Sequence, residues 1–132
     1  MSLINELTYK TNKTLGSHAF AKAFYQNLNL ISAENLILPA TTLADSSYSS
    51  MFNGCTNLLY SPKVLPATSV PVNAYNSMFN NCPAMLTAPE ILGTTFAQSA
   101  VYGTFNGDRS IKEIKLSSNI TCTGNTSFYR SF

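Results

Sequence analysis

SSYSSMFNGCTNLLYSPKVLPATS, residues 46–69, returns as VNAYNSMFNNCPAMLTAPEILGTT, residues 72–95, with its MF pair 27 residues further on. Self-similarity at a fixed period of this size is the signature of stacked repeat architectures. Anchored on the Phe of that pair, the register runs through Phe24, Phe52, Phe79, Phe105 and Phe132, at intervals of 28, 27, 26 and 27. Other columns keep the same frame. Four residues before each Phe stand Phe20, Tyr48, Tyr75, Val101 and Phe128; three after it stand Asn27, Cys55, Cys82 and Asp108; six after it stand Leu30, Leu58, Met85 and Ile111. Each column reads as a ladder of similar side chains, as stacked units require when every inward position faces its own copy above and below.

Inside one unit the apolar period changes. Tyr48, Met51 and Phe52 follow the i, i+3, i+4 spacing of a short helix. Asp45 is placed to cap it, as are Ser17, Asn73 and Asn125 in neighbouring copies. Two residues past each Phe stand Gln26, Gly54, Asn81 and Gly107, and three of these four, the two Gly and the Asn, suit the left-handed residue that closes a helix. IKEIKL at 111–116 then reads as a brief strand burying Ile111, Ile114 and Leu116, and Pro62 and Pro89 shorten the matching strands. LPATT at 38–42 and LPATS at 65–69 turn the chain back, with Gly93 in place of the proline in the third copy. The expected fold is an α/β solenoid, a leucine-rich-repeat-like right-handed coil of about 27-residue units, each a short strand plus a short helix. Residues 1–14 form a lead-in or cap, and 15–132 hold about four and a half repeats, the last incomplete.

Composition narrows the function. Only 11% of the 132 residues are charged, less than half the usual share, and the net charge is +2. No extended basic face follows, so nucleic acid is not an expected partner. No apolar run reaches membrane-spanning length, and no membrane insertion is expected. Met1, Ser2 and Leu3 read as a start added by cloning, ahead of which a native signal or further repeats would have stood. Three isolated cysteines and one histidine, His18, supply neither a disulfide framework nor a zinc site, so no cofactor or metal is expected. Without a second histidine no Ser-His-Asp arrangement assembles, and the chain is not expected to be an enzyme.

The order F-x-x-C-x-x-L in MFNGCTNL and MFNNCPAM, followed by the I-x-L of IKEIKL and the LP turn, resembles the BspA-type leucine-rich repeats of bacterial surface proteins. The resemblance spans residues 15–132, with a longer unit and added prolines as its departures. It implies a secreted or surface-displayed protein engaged in adhesion, with related arrays on phage-encoded proteins, and names no ligand.

Cys55 and Cys82 share one column, close enough for a disulfide if the copies stack, yet Asn27 and Asp108 in the same column favour buried free thiols. Cys122 lies outside it. His18 has no second ligand beside it and reads as structural. Sequons at Asn12, Asn119 and Asn125 are what an Asn- and Thr-rich chain contains by chance. Two outward columns carry the functional expectation: Ile31, Leu59, Leu86 and Lys112, then Ser32, Tyr60, Thr87 and Glu113. Leu59, Tyr60, Lys63, Leu86, Glu90, Lys112 and Lys115 make up the expected binding patch; the plainer reading is a solvated face with a Lys63–Glu90 ion pair. The function expected is a non-enzymatic protein-interaction or adhesion module of a bacterial cell-surface or secreted protein. Its partner would be a protein or glycan on another cell surface, and self-association through the open C-terminal repeat is a further expected contact. The alternative is a structural or assembly segment of a larger surface or phage virion protein.

Overall fold

Every second amide of the segment that carries the MF pair leaves its own copy to find a carbonyl. Tyr48, Ser50, Phe52 and Gly54 donate to the carbonyls of Ala74, Asn76, Met78 and Asn80, at 2.8–3.0 Å. The amides between them turn inward, with Ser49 donating to Ser46, Met51 to Tyr48 and Asn53 to Ser50, at 3.1–3.2 Å. These bonds come from a computed structural model of the chain, which describes residues 14–132. The expected lead-in over 1–14 therefore lies outside the described residues but for Thr14, as does the sequon at Asn12.

This alternation depends on a backbone that turns left-handed every fourth residue. Ser46, Ser50 and Gly54 have φ of 60°, 55° and 77°; Asn73, Ser77 and Asn81 repeat the triplet at 58°, 54° and 59°. The same positions recur as His18, Lys22 and Gln26, as Ser99, Gly103 and Gly107, and as Thr126 and Arg130. Each non-glycine there carries a steric cost of roughly 1–2 kcal/mol. That cost is offset because the turn frees alternate amides to bond the next copy.

The α/β solenoid of leucine-rich-repeat type is therefore corrected. Among the described residues there is no helix, and strand is confined to five two-residue pieces in two small parallel sheets. The misreading has a physical source. A ribbon of four-residue turns buries the same face as a helix of 3.6 residues per turn, and over nine residues the two periods coincide. Tyr48, Met51 and Phe52 are all buried, as a helix would have them. What the spacing omits is that Ser46, Ser47, Ser49, Ser50 and Asn53 are poor helix formers, prone to local hydrogen bonds. The expected caps lose their role with the helix: Asn73 is itself left-handed, and Ser17 Oγ donates to the Asp45 carbonyl at 3.1 Å.

Strand forms elsewhere than expected. IKEIKL is not a strand; only Leu116 pairs, with Ile91, and Leu116 is exposed. Regular pairing instead flanks the LPATS corner. β1 (Val64–Leu65) pairs in parallel with β3 (Glu90–Ile91), Val64 opposite Glu90. β2 (Ser69–Val70) pairs with β4 (Thr95–Phe96), and β4 with β5 (Thr121–Cys122), again in parallel. Single bridges tie Thr14 to Thr42, Ser32 to Tyr60, and Tyr60 to Thr87. All are one copy apart, so the sequence period is the register of the pairing.

The core is what the columns become when copies lie one strand spacing apart, near 4.8 Å. Rings stack from Phe24 to Phe52, Phe79, Phe105 and Phe132, with centroids 5.2, 5.1, 5.7 and 6.2 Å apart. A second stack joins Phe20, Tyr48 and Tyr75. Gly93 stands where Leu65 is followed by Pro66 in the copy before, and a Cβ there would lie 2.6 Å from the Phe96 ring and 2.9 Å from Val70. The glycine makes room for an aromatic ring at this corner.

Candidate functional site

Two outward columns and the hollows beside them form the candidate site. Leu59 donates its amide to the Ile31 carbonyl and Leu86 donates to Leu59, both at 2.7 Å, so Ile31, Leu59 and Leu86 are consecutive rungs. Ile31 and Leu86 are half exposed, at 50% and 44%, and Leu59 is partly buried between them. Tyr60, also partly buried, pairs with Ser32 before it and Thr87 after it.

The structure gathers five of the seven expected patch residues into one hollow of about 320 Å³. Lys63, Leu86, Glu90, Lys112 and Lys115 line it, together with Glu113. Leu59 and Tyr60 do not line it; they stand on the rungs beside it. Three ammonium groups face two carboxylates, so the hollow carries a modest positive excess. Lys63 and Glu90 are joined through their backbones, the Glu90 amide donating to the Lys63 carbonyl at 2.8 Å.

A second hollow, of about 330 Å³, adjoins the first through Lys63 and is mostly apolar, with Leu36, Ile37, Pro39 and Val64 in its wall. Sequence reasoning missed it. The signal was there: Ile37 precedes Leu38-Pro39 as Val64 precedes Leu65-Pro66, and Val64 pairs opposite Glu90. The outward column Ile37, Val64, Glu90, Lys115 thus changes from apolar to charged along the stack, as does Ile31, Leu59, Leu86, Lys112. One face grades from oily in the early copies to charged in the fourth.

The titratable interior includes Cys55, Cys82 and Asp108, the last lining a hollow with Lys112 and Glu113 at the charged end of this face. Cys55 and Cys82 are buried free thiols; each Sγ donates to the carbonyl of a Phe one copy earlier, Phe24 at 3.0 Å and Phe52 at 3.1 Å. Burial pushes both thiols up, against reactivity. Asp108, in the same column, accepts the Cys82 amide on Oδ1 at 2.7 Å while Oδ2 has no partner among the described residues; burial pushes its carboxyl up to about 7. Exposed Cys122 lies in β5. His18 is exposed, with Nδ1 2.8 Å from Ser17 Oγ. Among the described residues no three His, Cys, Asp or Glu side chains come together as metal ligands, and no helix is long and apolar enough to cross a membrane.

No protein family, no curated protein and no solved structure matches this chain.

Proposed function

We propose that the protein is a binding module that engages another protein through the graded face, in the setting of a bacterial cell surface or secretion. The observation that carries the reading is the run of partly exposed Ile31, Leu59 and Leu86 on hydrogen-bonded rungs beside a lysine-rimmed hollow. Large apolar side chains held outward on a rigid frame and bordered by charge are the composition of a protein-binding patch. The F-x-x-C-x-x-L signature and its resemblance to bacterial surface repeats support the setting. A protein partner suits this face better than a glycan does, because its outward columns are aliphatic over most of their length.

The test is a binding measurement against candidate surface proteins, with Leu59, Tyr60 and Leu86 replaced together by Ala. A loss of at least tenfold in affinity with unchanged thermal unfolding is expected. Unchanged affinity for a partner that binds the native chain would move the site elsewhere.

A further inference from the structure

Both hollows of the graded face open along one outward column, Ile37, Val64, Glu90 and Lys115, which advances one rung per copy. The apolar hollow of about 330 Å³ has Ile37 and Val64 on its rungs, and the hollow of about 320 Å³ has Glu90 and Lys115 on the next two. Lys63 borders both and joins them. The walls are described residues on neighbouring rungs, whatever precedes or follows them along the stack. With copies about 4.8 Å apart, the two hollows are centred two rungs, or about 9.6 Å, from one another. Ile37 and Val64 are 47% and 39% exposed, and Lys63, Lys112 and Lys115 are exposed as well. None of the three ammonium groups forms an ion pair with a described residue.

The spacing selects the shape of what fits. A polyproline II segment has three residues per turn and rises about 3.1 Å per residue, so side chains three apart lie on one side, about 9.3 Å from each other. In a β-strand side chains three apart point to opposite faces, and those two or four apart are about 6.6 or about 13 Å from each other, which misses the two-rung step. We propose that the graded face takes a polyproline II segment of its partner, lying along the stack with a large apolar side chain in the Ile37–Val64 hollow and, three residues away, a carboxylate against Lys63, Lys112 and Lys115. The proposal rests on the reading of this face as a protein-binding surface and names what it recognises. Glu90 and Glu113 line the second hollow too, so it suits one carboxylate and opposes an acidic run. A segment already held in polyproline II form loses little freedom on docking.

The test is fluorescence anisotropy of the full chain with the fluorescein-labelled peptide Gly-Ser-Leu-Pro-Pro-Glu-Gly-Ser. The spacing is the same in either direction, so the order Glu-Pro-Pro-Leu is titrated as well and the tighter peptide serves as probe. Saturable binding is expected, weakened at least about tenfold when Ser replaces the peptide Leu. One proline more or fewer between Leu and Glu should weaken it similarly, because one of the two side chains then misses its hollow. Lys115→Gln should weaken it about threefold and Glu90→Gln should tighten it, both at exposed positions where thermal unfolding stays unchanged. No saturable binding in either order, binding indifferent to the spacing, or binding that keeps its strength without the Leu would each overturn the proposal. The wider reading is separated by replacing Leu59, Tyr60 and Leu86 with Ala. If that change weakens a protein partner while neither peptide binds, the peptide mode falls and the protein-binding face stands. If the probe binds with the expected spacing while the partner's affinity is unchanged by that replacement, the peptide site stands and the partner docks elsewhere.

Discussion

The ring of Phe52 lies 5.1 Å from that of Phe79 with 2° between their planes, and the two residues are one repeat apart. Parallel rings at this distance are what a copy spacing near 4.8 Å imposes on identical side chains in one column. Phe79 is stacked on both sides, by Phe52 and Phe105, and fully buried. Phe79→Ala should cost about 3–5 kcal/mol of unfolding free energy in denaturant titration. The same truncation at the largely exposed Phe132 should cost well under 1 kcal/mol by the same reasoning. Similar losses at the two sites would contradict the stack.

Left-handed turns at every fourth residue make glycine scanning informative. Ser50, at φ 55°, forms no side-chain hydrogen bond among the described residues, so Ser50→Gly should raise stability by up to about 1 kcal/mol. At the adjacent Ser49, where φ is not left-handed, the same change should lower it by roughly 0.5–1 kcal/mol. Gly103→Ala should cost about 1 kcal/mol through conformation alone, because a Cβ there would have only Ser77 Oγ nearby, at 3.6 Å. A ribbon without left-handed residues would make Ser50→Gly destabilising, as at Ser49.

The hydroxyls of Tyr48 and Tyr75 are buried with no hydrogen-bond partner among the described residues, and burial, at Tyr75 together with the neighbouring Tyr48, pushes both phenols up. An unsatisfied buried hydroxyl is a standing cost. Tyr75→Phe should therefore stabilise the protein by about 1 kcal/mol while keeping the ring stack. A clear loss in melting temperature would show that the hydroxyl has a partner after all.

Asp108 sets a pH dependence. Its carboxyl is pushed from 3.8 up to about 7 in the folded protein, chiefly by burial. Between those values the folded state holds a proton that the unfolded state has released, so stability falls as pH rises from about 4 to 7 and then levels. Asp108→Asn, which copies Asn27 in the same column, should flatten the fall in melting temperature between pH 5 and pH 8. It should also leave the variant more stable than the native chain at pH 8. An unchanged slope would place the titration elsewhere.

The legible part of the fold was its register. The Phe and Tyr columns read from one offset became ring stacks, because a side chain that meets its own copy leaves a direct trace in sequence. The left-handed identity of Gly54, Asn81 and Gly107 was also visible, since Gly and Asn mark that conformation, whereas Gln26 at the same position carries no such mark. The helix was misread because Tyr48, Met51 and Phe52 fit a four-residue turn as well as a helical one, and the Ser-rich filling that separates them is a weaker signal than apolar spacing. IKEIKL misled by its isoleucines, which pack partly against the core without pairing. Of the site, the outward Leu59 and Leu86 rungs and the lysine cluster were readable. The apolar hollow at Ile37 and Val64 was missed although both residues repeat ahead of the LP corner, because that corner reads as a turn and not as a wall.

Hydrogen-bond scalar couplings in an NMR spectrum of the labelled protein test the central claim, that the ribbons bond between copies and not within a helix. The structure predicts correlations from the Tyr48 amide nitrogen to the Ala74 carbonyl carbon and from Phe52 to Met78. Correlations from Phe52 to Tyr48 and from Met51 to Ser47 would be those of an α-helix and would contradict it.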